Sequence, residues 1–159
     1  MLSHKTQAGA LSVRLVTLEP LRVASLIGRG KTPELAGWKA LLDWGRAQGL
    51  LKAAPAPRFF GFNVRRADHI EHDYEVWMTV GPQVQSDSIV TVKDFPGGRY
   101  AVARVKGVEQ IPGTWMRFTN WLKTSSYQYG EEQWLEEHVQ FIDLPEDELV
   151  LDLYLPLQA

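Results

Sequence analysis

The residues best suited to chemistry lie near the end of the chain, in the run Trp-Leu-Glu-Glu-His-Val-Gln-Phe at positions 134–141. If this run is a strand, the two-residue period of side chains places Glu136 and His138 on one face and Glu137 on the other. In a chain with six Trp residues, such a carboxylate could lie among aromatic rings. The alternative is a solvated edge strand with ordinary surface charges.

Aromatic residues elsewhere in the chain could supply the rings of such a site. Lipophilic cations such as quaternary ammonium, phosphonium or rhodamine-like dyes bind where ring faces surround them, at about 0.5–2 kcal/mol per ring, and where a carboxylate cancels the charge. A buried carboxylate without such a partner would raise its pKa and bind a proton. Two strands predicted below group acids with rings, since Glu75 shares a face with Trp77 and Asp152 with Tyr154. The other candidate ligand-binding residues are Trp38, Trp115, Phe60 and Phe62. For the two Trp residues in this list, the alternative is packing of a helix against a sheet.

Several kinds of site are excluded or not indicated, either by the composition or because a motif is incomplete. The chain has 159 residues, no Cys and a formal net charge of −2, so disulfides and thiolate metal sites are excluded and binding to nucleic acid is not indicated. No apolar run approaches the roughly 18–20 residues of a membrane span. The run Ser25–Thr32 resembles a phosphate-binding loop but has Ser in place of the first Gly. His69–Asp73 contains candidate metal ligands without the spacing of a known site. We therefore expect no cofactor and no metal.

The chain reads as two copies of one unit, 77 residues apart. Trp is a rare residue, and two Trp residues of the first half recur in register in the second half (115 − 38 = 77 and 121 − 44 = 77). The matching pairs are Arg22 and Arg99, Gly30 and Gly107, Trp38 and Trp115, and Trp44 and Trp121. Half of this chain would bury little core alone, so we expect the two copies to merge their sheets.

Hydrophobic periodicity predicts two helices and eight strands. The first helix begins after the N-cap Thr32 and carries an apolar stripe of Leu35, Trp38 and Leu42, and the second runs from about Pro112 to Lys123. The predicted strands are Val13–Leu18, Leu21–Ile27, Arg58–Val64, Tyr74–Val80, Ile89–Val92, Arg99–Val105, Trp134–Phe141 and Leu149–Leu157.

Several short motifs together give this chain a family resemblance. They are Leu18-Glu19-Pro20 with Arg22-Val23-Ala24, Phe95-Pro96 with Arg99-Tyr100-Ala101, Trp121-Leu122, Leu135-Glu136-Glu137-His138, and Asp152-Leu153-Tyr154-Leu155-Pro156. The chain resembles a GyrI-like, AraC-type effector-binding domain, the small-molecule sensor module found alone or fused to transcription regulators. The resemblance extends from about Val13 to Leu157.

The resemblance implies an α+β fold. Two βαββ modules related by pseudo-twofold symmetry would form one curved antiparallel sheet with two main helices, and a ligand groove would lie between sheet and helices at the module junction. Module one would span 13–82 and module two 89–157, together a single stand-alone domain at 13–157 after a flexible tail at 1–12. With the domain placed, no segment is left for a helix-turn-helix, so direct DNA binding is not expected.

The resemblance also implies a site. In this family a Glu in the penultimate strand, usually followed two residues later by Tyr, lies in the pocket. In this chain, Glu136 is similar to the pocket Glu of that motif, and His138 stands in the place of the Tyr. His in place of Tyr keeps a flat ring but adds a group that titrates near pH 6.5, and its protonated form would repel a cation.

Three classes of function follow. The leading expectation is a stand-alone cytoplasmic domain that sequesters or senses hydrophobic, cationic small molecules, without membrane attachment. The second is a hydrolase of cyclopropane-bearing toxins, in which Glu136 would be the general base. The third is an interaction with a protein partner, either a regulator or gyrase, as the gyrase-inhibiting members of the family imply. The sequence does not separate the first two, because the same Glu serves both.

Overall fold

A computed structural model describes residues 11–65 and 72–159. The tail predicted at 1–12 lies almost wholly outside the described residues. The chain divides into two compact units, one made of residues 20–96 and the other of residues 97–159 together with the chain up to Glu19. We call them the continuous unit and the split unit, because the second is assembled from two separate stretches of chain.

The described residues form eight strands, two α-helices and two short 3-10 turns. The strands are β1 Val13–Leu18, β2 Leu21–Gly28, β3 Phe59–Arg65, β4 His72–Thr79, β5 Thr91–Phe95, β6 Gly98–Lys106, β7 Leu135–Gln140 and β8 Val150–Pro156. The helices are α1 Pro33–Ala47 and α2 Ile111–Thr124. Within the described ranges, neither helix has the length and apolar character needed to cross a membrane.

In the continuous unit the strand order is β3-β4-β2-β5, and each neighbouring pair is antiparallel. Helix α1 packs closely on one face of this sheet because small residues meet there. A Cβ on Gly28 would overlap the carbonyl oxygen of Pro33, and a Cβ on Gly37 would lie 3.2 Å from the Val76 side chain. The face that carries α1 is therefore the face of Val76 and Met78, and the alternate residues of β4 point to the opposite face.

The apolar stripe predicted for α1 is partly wrong. Leu35 is 62% exposed, whereas Trp38, Leu41 and Trp44 are buried. The helix is rotated relative to the prediction because Gly37 and Gly45 face the sheet, where the missing side chains allow close approach. Thr32 stands at the N-cap as predicted, but its side chain makes no capping hydrogen bond.

In the split unit the order is β1-β6-β8-β7, again with antiparallel neighbours. Helix α2 presents Phe118 and Leu122 to alternate residues of β6 and β8. This core includes Ala101, Ala103, Val105, Leu151, Leu153 and Leu155. Burying these side chains supplies the main stabilisation of the unit, at about 25 cal/mol per Å² of apolar surface.

The α+β fold class predicted from the sequence is confirmed, and so is the repeat. β2 and β6 begin 77 residues apart (98 − 21 = 77), and β4 and β8 end 77 residues apart (156 − 79 = 77). The register agrees as well, since Ser25 faces Trp77 and Val102 faces Tyr154.

The first strand of each half belongs to the unit that contains most of the other half. β1 pairs with β6, and β5 pairs with β2. The predicted modules at 13–82 and 89–157 are each one continuous stretch of sequence. The compact units differ from them, because β1 belongs to the split unit and β5 to the continuous unit. The module boundaries themselves stay a prediction.

Candidate functional site

The face opposite α1 in the continuous unit carries a buried carboxylate. Because α1 covers Val76 and Met78, the intervening residues Glu75 and Trp77 point away from the helix. Cross-strand pairing brings Ser25 of β2 directly opposite Trp77. Glu75 is only 7% exposed, so its charge must be satisfied by neighbouring groups.

Three donors bind the Glu75 carboxylate and compensate for its loss of water. Ser25 Oγ donates to Glu75 Oε2 at 2.8 Å, Trp77 Nε1 donates to the same oxygen at 2.7 Å, and Lys93 Nζ forms an ion pair with it. Burial by itself would raise the pKa of Glu75, but the hydrogen bonds from Lys93, Trp77 and Ser25 outweigh burial and hold the pKa below its ordinary value. Glu75 is therefore an anion at neutral pH.

Aromatic rings surround this carboxylate. The Trp77 ring lies 5.2 Å from Phe62 in an edge-to-face arrangement and 5.1 Å from Phe95, both measured between ring centroids. Phe60 pairs with Trp77 across the strands and is fully buried. Phe62 and Phe95 are half-buried, so part of their surface is available to a bound molecule. In general, a carboxylate beside aromatic rings can attract an organic cation.

The split unit has its own polar cluster on the face opposite α2. Tyr154 donates its hydroxyl to Glu137 Oε1 at 2.7 Å, and the Tyr154 ring packs edge-on against Tyr100 at 5.5 Å. Tyr100 donates to the Gln133 carbonyl at 2.6 Å, and burial, reinforced by the charge of Glu132, raises the pKa of Tyr100. The Tyr100 phenol therefore stays protonated and acts as a donor.

Asp152, the counterpart of Glu75 in the repeat, has a different set of partners. Arg104 donates to both of its oxygens at 2.8 and 3.0 Å, and Arg14 donates at 2.9 Å. Burial would raise the pKa of Asp152, yet the bonds from Arg104 and Arg14 hold it below its usual range. Bidentate pairing with a guanidinium is strong and geometrically fixed, so we interpret this cluster as structural.

Glu136 and His138 lie on the α2 side of the split unit. Trp115 of α2 donates its Nε1 to Glu136 Oε2 at 2.9 Å, and the Trp115 ring contacts Trp134 at 5.4 Å. The His138 ring packs against Phe141 at 5.2 Å. Burial lowers the pKa of His138 to about 4, so the ring is neutral at pH 7.

The structure thus distributes the predicted site residues over several faces. Trp77, Phe60 and Phe62 come together opposite α1, whereas Trp38 lies on the α1 side against Phe59, at 6.1 Å. Tyr154 lies opposite α2, and Glu136, His138 and Trp115 lie on the α2 side. The register of β7 and β8 pairs Leu135 with Tyr154, so Glu137, and not Glu136, shares the face of Tyr154.

Lys93, Ser25 and Phe95 were not predicted from the sequence as site residues. The predicted strand Ile89–Val92 ends before Lys93, whereas β5 runs from Thr91 to Phe95. The alternation of Thr91, Lys93 and Phe95 was a usable signal, because it puts a Lys and an aromatic ring on one strand face.

A metal site is not indicated in the part of the chain that the structure describes. Across residues 11–65 and 72–159, no group of three or more potential ligands is close enough to hold an ion. The candidate run His69–Asp73 falls mostly outside these ranges. His72 is exposed and lies 3.2 Å from the Glu34 carboxylate.

Residues 11–158 match the GyrI-like small molecule binding domain. The chain belongs to this family. Its members bind small molecules, as the family description states, and the match covers both units and every strand and helix described above.

Solved structures share the fold at low sequence identity. The EcmrR chain in a DNA complex superposes with a TM-score of 0.74 and 14% identity over 93% of this chain, which spans 57% of that chain. The EcmrR C-terminal domain alone gives a TM-score of 0.68, with 14% identity and coverage of 93% and 98%. SAV2435 bound to tetraphenylphosphonium gives 0.60, with 13% identity and coverage of 93% and 94%.

Proposed function

We propose that this GyrI-like domain binds lipophilic aromatic cations on the face of the continuous unit opposite α1. The single observation that carries the proposal is the Glu75 carboxylate, kept ionised beside the ring of Trp77. In this proposal Glu75 balances the charge of the ligand, while Trp77, Phe62 and Phe95 provide aromatic surface.

The energetics favour a cation that is both charged and aromatic. A cation held over a ring gains about 0.5–1 kcal/mol at an exposed site and about 2 kcal/mol or more where water is excluded. A carboxylate 10% exposed at the side chain offers its charge in a drier setting than a surface acid does. Rings on the ligand add edge-to-face or offset contacts of about 0.5–1.5 kcal/mol each.

The structural neighbour SAV2435 supports this ligand class, since it was solved with the lipophilic cation tetraphenylphosphonium. The four phenyl rings around a single positive charge match the chemistry of the Glu75 cluster. The likeness in fold, at 13% identity, makes tetraphenylphosphonium the reasonable first probe.

Hydrolysis is less well supported than binding. A general base needs a pKa near the working pH, and the pKa of Glu75 is held low by three donors. Glu136, the base predicted from the sequence, accepts a hydrogen bond from Trp115 on the α2 side. The Glu75 carboxylate, stabilised as an anion, is suited to balancing a charge and poorly suited to removing a proton.

Titration of Trp fluorescence with tetraphenylphosphonium tests the proposal. We expect Glu75→Gln to weaken binding by roughly 10- to 100-fold, about 1.4–2.7 kcal/mol, because the substitution removes the charge and keeps the shape. Glu136→Gln is the matched control, and triphenylphosphine oxide is the neutral comparison ligand. Equal affinity of wild type and Glu75→Gln for tetraphenylphosphonium would refute the proposal. A loss of affinity in Glu136→Gln alone would show that the ligand binds on the α2 side.

A further inference from the structure

Lys93 makes the two contacts that the proposed function assigns to the ligand cation. Its Nζ pairs with the Glu75 carboxylate and lies 5.6 Å from the centroid of the Trp77 ring. The site therefore already holds a positive charge that belongs to the protein. A ligand cation and the Lys93 ammonium would compete for the same oxygen and the same ring face.

The two members of this ion pair differ in their access to water. The Lys93 side chain is 44% exposed, whereas that of Glu75 is 10% exposed. A Lys ammonium is strongly hydrated and is carried on a flexible four-carbon stem, so it can move into solvent at small cost. The carboxylate cannot follow, because Ser25 and Trp77 hold its Oε2.

The remaining donors keep the site ready after Lys93 leaves. Ser25 Oγ and Trp77 Nε1 both bond Oε2, so the carboxylate still has two partners when the ammonium is gone. The equivalent position in the other half is occupied by an apolar residue, Val16 (93 − 77 = 16), on β1. The arrangement is thus specific to the continuous unit.

We propose that Lys93 is an internal competitor for the cationic ligand, and that binding proceeds by exchange of the Lys93 ammonium for the ligand cation at Glu75. The inference rests on the proposed function. Small hydrophilic cations gain too little from the rings to displace the tethered ammonium. Cations that carry several aromatic rings gain the extra contacts with Trp77, Phe62 and Phe95 and displace it, so Lys93 sets a selectivity threshold.

Competition lowers the apparent affinity by the fraction of protein in which the ammonium has left the carboxylate. Removing the ammonium should therefore tighten the binding of a cation. We expect Lys93→Met to bind tetraphenylphosphonium on the order of tenfold more tightly than wild type, since Met keeps an unbranched stem of similar length. Lys93→Arg keeps the charge and should bind no more tightly than wild type.

Two controls separate competition from general effects of charge and shape. Lys106→Met removes one positive charge from an exposed strand position and should leave the affinity unchanged. Triphenylphosphine oxide, a neutral ligand with similar rings, should bind wild type and Lys93→Met equally. In a Glu75→Gln background, Lys93→Met should no longer increase the affinity for tetraphenylphosphonium.

The outcomes distinguish this inference from the proposed function. If wild type binds the cation in a Glu75-dependent way and Lys93→Met binds no more tightly, the exchange is refuted and the binding function stands. If the neutral ligand gains as much as the cation, Lys93 acts by bulk and the exchange is again refuted. Absence of binding in every variant would refute the binding function and the exchange with it.

A second measurement uses the unaltered protein. The side-chain NMR signal of Lys93, assigned by its loss in Lys93→Arg, should move toward that of an exposed Lys as tetraphenylphosphonium is added. A Lys93 signal that stays constant while the cation binds would show that the ammonium is not displaced.

Discussion

Equivalent positions of the repeat, Glu75 and Asp152, keep a buried carboxylate ionised in different ways. Asp152 is clamped by two guanidiniums, which are planar and fix both oxygens. Glu75 relies on one ammonium and two neutral donors, all directed at a single oxygen. An ammonium on a flexible stem is easier to displace than a bidentate guanidinium. This difference further supports placing the proposed ligand site at Glu75 and not at Asp152.

At the scale of a single residue, His138 should make stability depend on pH. Its pKa falls from 6.5 to about 4 on folding, so between these values the unfolded chain binds a proton that the folded protein does not. Stability is therefore complete above pH 6.5 and falls as the pH decreases toward 4. The loss should be about 1–2 kcal/mol, less than the full shift implies, because the side chain is only half-buried.

Urea unfolding at pH 7 and pH 4.5 measures this effect. His138→Gln should have a smaller decrease in the free energy of unfolding between the two pH values than wild type. His72→Gln, at an exposed histidine, is the control. Identical pH dependence in wild type and His138→Gln would contradict the assigned burial of the ring.

At the scale of an element, α1 shows where periodicity alone fails. The 3.6-residue period fits the stripe of Leu35, Trp38 and Leu42 as well as the observed set of Trp38, Leu41 and Trp44. Glycine decides between them, since Gly37 and Gly45 let the helix approach the sheet. A hydrophobic pattern counts apolar side chains and therefore does not register a glycine that packs against a sheet. For this reason the rotation of α1 was not predicted.

Two Leu→Ala substitutions on α1 test this orientation. Leu41 is fully buried, so Leu41→Ala should lower the free energy of unfolding by about 2–4 kcal/mol through lost burial and a cavity. Leu35 is 62% exposed, so Leu35→Ala should change the free energy of unfolding by less than about 0.5 kcal/mol. Denaturant titration of the two variants gives both values, and similar losses would contradict the helix orientation.

Period-two alternation predicted which residues of β7 share a face, but not which face the helix covers. Glu136 and His138 do alternate with Glu137, as the sequence indicated. That α2 covers the Glu136 side follows from the register of β7 on β8 and from Trp115, neither of which a single strand pattern contains. Lys93 was missed for a similar reason, because its contacts with Glu75 cross from β5 over β2 to β4.

At the scale of the whole molecule, short motifs gave the family resemblance, and the 77-residue repeat predicted the same order of elements in both halves. It did not reveal that β1 and β5 exchange units, because pairing between strands is not visible in a linear shift. The two halves preserve backbone register while their side chains diverge, so Ser25 faces Trp77 where Val102 faces Tyr154. As a result, Glu75 has a lysine partner, whereas Asp152, its counterpart in the repeat, has two arginine partners.

The exchange of strands predicts how fragments behave. A fragment of residues 20–96 contains all four strands of the continuous unit, whereas a fragment of residues 13–82 lacks β5 and carries β1 without its partner β6. The fragment of residues 20–96 should therefore have more strand structure and slower amide hydrogen exchange than the fragment of residues 13–82. Circular dichroism and exchange on both fragments check this, and equal or greater protection in 13–82 would favour the module boundaries over the compact units.

A crystal structure with tetraphenylphosphonium tests the central claim most directly. The binding proposal predicts phosphorus within about 6 Å of the Trp77 ring centroid, with phenyl groups on Phe62 and Phe95. The exchange proposal predicts in addition that Lys93 Nζ has moved away from Glu75. A ligand bound beside Glu136 on the α2 side, with the Glu75 cluster undisturbed, would contradict the account.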